Sequence, residues 1–311
     1  MLRLLQTGGG GAGAEAIERL WANRYELHFA DADIDAIAPT ISSDRRHRIP
    51  MAGPEWAFAM ADVCRRAGID ILIPGVDEEL PLIPQLQEML PKLITLVPSP
   101  SFVTLMRDKL AFANAFSAAG IDAPRTVTID RVQEIGFPCL AKPRAGRGSR
   151  GIQILNSLEE VNAYRILARQ PDNQLLVQEL LKGQEWTVYV SADRAGNLRG
   201  VVPVKVNVKR GITIRAETML HKGIEGYCKA IHTRFPTAGS YNVQLMETAD
   251  GRLAAFEVNP RVSTTLCLAI AAGADPIQDL MRDDSGQGIR SFDSGVQLRR
   301  NWFNHIIHDR S

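Results

Sequence analysis

The chain has 311 residues, 45% of them hydrophobic, and its 36 Lys and Arg nearly balance 35 Asp and Glu, for a net charge of +1. That length supplies core for roughly two or three domains, and the near-neutral balance excludes a general attraction for nucleic acid or an anionic membrane. The longest apolar runs, 69–76 and 266–272, fall far short of the roughly 20 residues that cross a bilayer. Met1–Thr7 lacks the charged, apolar and small-residue regions of a secretory signal, so a cytoplasmic location is expected. Cys64, Cys139, Cys228 and Cys267 stand apart in apolar segments with no CxxC pair, which suits reduced, packed thiols better than a disulfide or zinc framework.

In chain order, an apolar strand at 2–6 precedes the glycine run 8–13, a helix over 14–21 and a strand at 26–30. A helix over 55–67, a strand at 69–74, a helix over 78–90 and a strand at 93–97 continue an alternation that predicts a parallel sheet covered by helices. Pro98-Ser99-Pro100 is the first boundary. Helices within 101–119 then lead to strands at 138–143 and 151–155 around a loop of Gly and Arg. A helix follows from Ser157, whose Ser157-Leu-Glu-Glu160 reads as a capping box. Strands at 174–180, 185–191 and 198–206, joined by short turns, look antiparallel, and 283–294 reads as a surface loop. The division expected is 1–98, 99–173 and 174–311.

Gly8, Gly10 and Gly13 satisfy GxGxxG between a strand and a helix, with Asp31 and Asp33 about 20 residues on, so a dinucleotide site is one reading and a tight structural turn another. In Ala141-Lys-Pro-Arg-Ala-Gly-Arg-Gly-Ser-Arg-Gly151, a lysine ends an apolar strand and flexible glycines free backbone N–H groups to wrap phosphate oxygens. Polyphosphate is the natural ligand, against the plainer reading of a solvated basic turn; no GxxxxGK is present.

The most informative group lies on two strands, 241–247 and 253–258, joined by Asp250-Gly251. If those two residues form the turn, paired positions sum to 501, Gln244 faces Glu257, and Asn259 and Arg261 project from the same side. Carboxylate and amide oxygens gathered there suit Mg²⁺, which keeps positions open for phosphate, and the guanidinium can fork onto a carboxylate or phosphoryl group. A polar outer hairpin face is the alternative, opposed by the apolar neighbours of Glu257. Within 177–185, backbone groups of a strand link can bond an adenine edge and Glu185 can accept from ribose hydroxyls. Asp77 and Glu78, after the strand at 69–74, could attract an amine, although an acidic helix start accounts for them more simply. The six histidines form no HExxH, the segment 302–307 reads equally as strand or helix around His305 and His308, and Ser149 lacks a GxSxG elbow. Neither zinc nor serine-hydrolase chemistry has support.

These residues resemble the ATP-grasp superfamily, most closely the ATP-binding half-units of the carbamoyl phosphate synthetase large subunit and free-standing relatives. The likeness runs over roughly 2–280 and is densest in Asn242-Val-Gln-Leu and Phe256-Glu-Val-Asn-Pro-Arg-Val-Ser263. The resemblance implies an α/β fold with an α+β C-terminal part: a Rossmann-like N-terminal domain followed by a two-subdomain ATP-grasp unit gripping ATP. It implies that Lys109 and Lys142 contact phosphates, that 144–151 closes over them with Ser149 in contact, and that Leu181 donates its backbone N–H to adenine. Gln178 stands where a glutamate usually reads the adenine amino group, and Glu185 matches the ribose carboxylate. Gln244, Glu257 and Asn259 match the shell of Mg²⁺, with Mn²⁺ as a substitute, and Arg261 matches the arginine that steadies an acyl phosphate.

Two departures matter. One ATP-grasp unit without a glutaminase region does not suit complete carbamoyl phosphate synthesis, and 205–215 is unlike the synthetase, although Lys205, Lys209 and Arg215 supply positive charge. The expected activity is an ATP-dependent ligase that activates a small carboxylate as an acyl phosphate for attack by an amine. No nucleic-acid or membrane partner is expected, and the assembly is open between monomer and homodimer. The rivals are a carboxylate or carbamate kinase, an NAD(P)-dependent oxidoreductase and a non-catalytic nucleotide-binding module.

Overall fold

The computed structural model describes the chain apart from Arg147, Ser149 and residues 283–287, 302–304 and 307–311. The expected contact at Ser149, and the segments 302–307 and 283–294 in part, therefore lie outside the described residues. Among the described residues no helix is long and apolar enough to cross a membrane.

Strands β1 (Arg3–Thr7), β2 (Glu26–Asp31), β3 (Arg46–Arg48), β4 (Ile71–Ile73) and β5 (Ile94–Thr95) form a parallel sheet in the order β3-β2-β1-β4-β5. Leu4, Leu5, Phe29, Ala30 and Ile71–Ile73 are buried, as parallel strands covered on both faces require. The covering helices are α1 (Ala14–Trp21), α2 (Trp56–Ala67) and α3 (Ile83–Met89). Helix α2 stops at Gly68, whose φ of 63° returns its N–H to the last carbonyls. The helix expected over 78–90 instead opens with a 3₁₀ turn at Leu80–Leu82 before α3, because Pro81 and Pro84 cannot donate and are tolerated only at helix starts. Strand order reverses between β1 and β4, so the loops that follow these two strands meet at one edge, where Gly75 N–H donates to Thr7 Oγ1 at 2.9 Å.

After Pro98, helices α4 (Pro100–Arg107) and α5 (Lys109–Ala118) lead to a four-stranded antiparallel sheet, β6 (Thr126–Thr128), β7 (Cys139–Pro143), β8 (Gln153–Leu155) and β9 (Leu175–Glu179), in the order β6-β9-β7-β8. Helix α6 (Leu158–Ala168) packs on it. Ser157 Oγ accepts from Glu160 N–H as expected, but the Glu160 carboxylate reaches past the cap to Asn156 N–H at 2.7 Å. The third sheet is antiparallel, with β10 (Gly183–Ala192), β11 (Leu198–Arg210), β12 (Ile212–Thr218), β13 (Gly239–Thr248), β14 (Leu253–Asn259) and β15 (Gln297–Arg299) in the order β14-β13-β10-β11-β12-β15. Helix α7 (Lys222–Arg234) lies against it, followed in the chain by α8 (Leu266–Ala271) and α9 (Pro276–Leu280).

Packing redraws the unit expected at 99–173. Phe102, Met106, Phe112 and Phe116 of α4 and α5 share a core with Trp186, Val188, Tyr241 and Val243 of the third sheet, so these helices belong with that sheet rather than with the glycine-rich unit. Strand β9 pairs with β6 and β7, which shifts the second division from 173 to the link at 180–182. A further core joins Ile17 and Trp21 of α1 to Val202, Val204 and Leu266, fixing the first sheet onto the third.

Candidate active site

The β13–β14 hairpin gathers Gln244, Glu257 and Asn259, by a route that differs from the expected turn. Thr248 exchanges backbone bonds with Gly251 and Arg252, so three residues, 249–251, make the connection, with Gly251 at φ 84°. Pairs nearest the turn sum to 500, as in Met246 with Ala254; a bulge at Phe256 adds one residue, and Gln244 meets Glu257 after all. Asn242 then faces Asn259, and strand alternation puts all four side chains on one face. Asn242, 2% exposed, donates Nδ2 to Arg261 O at 3.1 Å and presents Oδ1 to Asn259 Nδ2 at 3.4 Å. Asn259 must therefore point its own Oδ1 away from Asn242. Asn242 was not singled out from sequence, although the 501 register already placed it opposite Asn259.

Both lysines converge on this face from the opposite sheet and helix. Lys109, at the start of α5, lies 3.4 Å from Glu257 and donates to Gly146 O at 2.8 Å. Asp108 caps α5 by accepting from Leu110 and Ala111, and the Arg144 guanidinium grips the same carboxylate, which ties the base of the glycine-rich loop to the helix that carries Lys109. Lys142 on β7 is 4% exposed and donates to Gln178 Oε1 at 3.1 Å and Phe256 O at 3.3 Å. Burial lowers its pKa to about 8, with Glu257 opposing the shift and Lys109 adding to it. Gln178 is buried, and its Nε2 donates to Thr126 Oγ1 at 2.7 Å.

A cavity of about 230 Å³ opens between the second and third sheets, lined in part by Lys142, Gly146, Gln178, Leu181, Glu185 and Gln244. Leu180 and Leu181 of the link after β9 line one wall. Glu185 on β10 pairs with Lys209, and the Lys209 ammonium also sits 6.0 Å from the centre of the Phe256 ring. Register shifts between Val206 and Lys209 turn Lys209 into the cavity. Lys205, by contrast, pairs with Trp186 of the core face, and Arg215 lies out on β12 opposite Arg299. A smaller adjoining hollow shares Lys109, Gly146 and Glu257 with the first and adds Asp77, Glu78, Arg107 and Asn259. Among the described residues no three His, Cys, Asp or Glu gather in a metal-binding group, so Glu257 is joined by amide oxygens alone.

Arg261 is not isolated: its guanidinium clasps both oxygens of Asp77 from the loop after β4, a pairing nothing in the sequence signalled. Within the glycine run 8–13, Gly10 and Gly13 are closely packed, while Gly9, Gly10 and Gly11 line a separate hollow of about 450 Å³. A Cβ on Gly10 would stand 2.5 Å from Ala36 Cβ, one on Gly13 would stand 2.8 Å from Thr264 O, and Asp31 accepts from Gly10 N–H at 3.0 Å.

This arrangement, a Rossmann-like sheet followed by two antiparallel sheets that enclose a cavity with lysines on one wall and oxygen donors on the other, is the ATP-grasp fold. Family models agree: "ATP-grasp in the biosynthetic pathway with Ter operon" matches residues 171–300 and "D-ala D-ala ligase C-terminus" matches 111–213. The chain is 30% identical over 192 residues to the carbamoyl phosphate synthase large chain of Vibrio parahaemolyticus, covering 55% of this chain and 18% of that one. It is 28% identical over 173 residues to the D-alanine–D-alanine ligase of Geobacter sulfurreducens, covering 50% and 55% of the two. The chain thus spans under a fifth of the synthase's length. In fold it is similar to biotin carboxylase from Campylobacter jejuni in its β-γ-ATP complex, with TM-score 0.72, 15% identity and coverage of 95% and 74%. It is likewise similar to N5-carboxyaminoimidazole synthetase from Staphylococcus aureus complexed with ADP, with TM-score 0.70, 15% identity and coverage of 94% and 80%.

Proposed function

We propose that the chain is an ATP-dependent carboxylate–amine ligase: a carboxylate takes the γ-phosphoryl group of ATP, an amine attacks the acyl carbon, and ADP and phosphate leave. The observation that carries this reading is the convergence of Gln244, Glu257 and Asn259 on one face beneath Lys109 and Lys142.

The donor chemistry fits Mg²⁺. Glu257 offers a carboxylate, Gln244 an amide and Asn259 an oxygen turned outward by Asn242, a partial oxygen shell of the kind Mg²⁺ takes when phosphates complete it. Gln244, Glu257 and Asn259 would hold the ion, which supplies positive charge to the β- and γ-phosphates when bound. The protein's own groups do the rest. Lys142 and Lys109 face the phosphate end and spread developing charge, beside Gly146 and Gly148, which line the same cavity. Leu181 and Gln178 meet the adenine, and Glu185 meets the ribose once Lys209 yields. Arg261, oriented by Asp77 at the edge of the adjoining hollow, holds the acceptor carboxylate, so that positioning and electrostatics supply the rate without a side-chain nucleophile. The substrates are a small carboxylate and an amine.

The test is a screen of carboxylates and amines for stimulated ADP release, with mass spectrometry of the product. A condensed amide and stoichiometric ADP are expected. ADP release without any amine, with a stable phosphorylated product, would replace the ligase by a kinase. Nucleotide binding with no turnover across the screen would leave a binding module.

A further inference from the structure

Thr126, 7% exposed on β6, ends a chain of hydrogen bonds whose direction is forced. Pro124 O can only accept, so the Thr126 hydroxyl spends its proton there, at 2.9 Å. The hydroxyl oxygen can then only accept, and it receives Gln178 Nε2 at 2.7 Å. At the far end stands the Lys142 ammonium, a donor without acceptor capacity, 3.1 Å from Gln178 Oε1. A carbonyl at one end and an ammonium at the other allow one orientation of the amide between them.

We propose that Thr126 is a specificity-determining positioning residue: by holding the Gln178 amide with its oxygen toward the cavity, it makes the site choose a base bearing an exocyclic amine, adenine, over one bearing a carbonyl there, guanine. The inference rests on the nucleoside-triphosphate reading of that cavity. A carboxylate at position 178 would need no such device, since both its oxygens accept. An amide is two-faced, and its NH₂ edge would suit guanine as well as its oxygen suits adenine. Lys142 can enforce the orientation only while it stays on Gln178. Once it turns to a phosphate oxygen, Thr126 alone keeps the amide from reversing.

The test uses the full chain with Mg²⁺ and the β,γ-imido analogues of ATP and GTP, their dissociation constants measured by calorimetry. Wild type is expected to prefer the adenosine analogue. Thr126→Val, which keeps the shape and loses the acceptor, is expected to lower that preference about tenfold, the scale of one buried hydrogen bond, while Thr126→Ser keeps it. In a Gln178→Glu background, Thr126→Val is expected to leave the preference unchanged, because a carboxylate has no direction to set. An equal loss of both affinities in Thr126→Val, or the same change of preference in both backgrounds, would reduce Thr126 to a structural part and overturn the inference alone. Wild type that binds neither analogue would overturn the nucleotide reading and this inference with it.

Discussion

Arg261 holds Asp77 by both carboxylate oxygens, Nε to Oδ1 at 2.8 Å and a terminal nitrogen to Oδ2 at 3.0 Å, across 184 residues of chain. Both side chains are about 16% exposed, so the pair is only partly screened by water. It clasps the loop after β4 to the segment that follows β14, beside the smaller hollow that Asp77 lines. Removing either partner leaves the other charge half-buried, and Asp77→Ala or Arg261→Ala is expected to cost roughly 1–3 kcal/mol in urea unfolding. The double variant should cost less than the two losses added, with a coupling of about 1 kcal/mol. Strict additivity would mean the clasp contributes nothing.

How much of this was legible varied with range along the chain. The Gln244–Glu257 pairing was anticipated, but through an Asp250-Gly251 turn that is one residue too short; the Phe256 bulge made up the difference. Local chemistry identified the turn region, while the bulge answers to packing that no short window contains. The helix pair α4–α5 was visible as elements, yet its assignment to the third sheet depends on Phe102 meeting Tyr241 and on the core that Phe112 and Phe116 share with that sheet, contacts of long range. Thr126 stayed hidden, and so did the partners of Lys209 and Asp77, for the same reason: each acts on a residue distant in sequence, Gln178, Glu185 or Arg261.

Glu257 is the sole carboxylate among the three oxygen donors and the ion partner of Lys109. Glu257→Ala is expected to lower carboxylate-stimulated ADP release by about a hundredfold or more, the scale for losing a principal electrostatic group. Because Mn²⁺ can report the same site, its electron paramagnetic resonance spectrum in the presence of the ATP analogue should revert toward that of the analogue alone. Near-normal turnover with an unchanged spectrum would remove Glu257 from the metal shell.

Asn242 gives a more selective case, since its side chain bonds Asn259 and the backbone carbonyl of Arg261. Asn242→Ala frees the Asn259 amide to rotate its NH₂ toward the donor face. Outer partners of metal ligands commonly contribute about 10- to 100-fold in affinity, and Mn²⁺ affinity in the presence of the analogue is expected to fall by about tenfold. The analogue's own affinity without metal should hold, and a loss of both together would point to a distorted hairpin.

The glycine run separates a packing role from a dinucleotide role. An alanine Cβ at position 13 would press within 2.8 Å of the Thr264 carbonyl, a backbone atom that cannot swing aside. Gly13→Ala is expected to destabilise the chain by about 1–3 kcal/mol, read as a lower thermal midpoint, while the affinity for the ATP analogue at 25 °C stays the same. Tight NAD binding by wild type, abolished in Gly13→Ala, would reverse that assignment.

Glu79 should make the stability of the fold depend on pH. Its side chain, 4% exposed, accepts from the Thr7 hydroxyl and from Trp56 Nε1 at 3.2 Å, and burial raises its pKa from 4.5 to about 7 against those bonds. Between those two values the folded chain keeps a proton that the unfolded chain has released. The associated stabilisation is therefore complete below pH 4.5 and is lost as pH rises through about 7, a difference of about 3 kcal/mol at the conversion of 1.36 kcal/mol per unit. Urea midpoints are expected to fall from pH 5 to pH 8 in wild type. Glu79→Gln retains an acceptor for Trp56 and cannot ionise, so its midpoint should change less over the same interval. Parallel profiles for the two proteins would assign the pH dependence to other groups and leave Glu79 ionised within the fold.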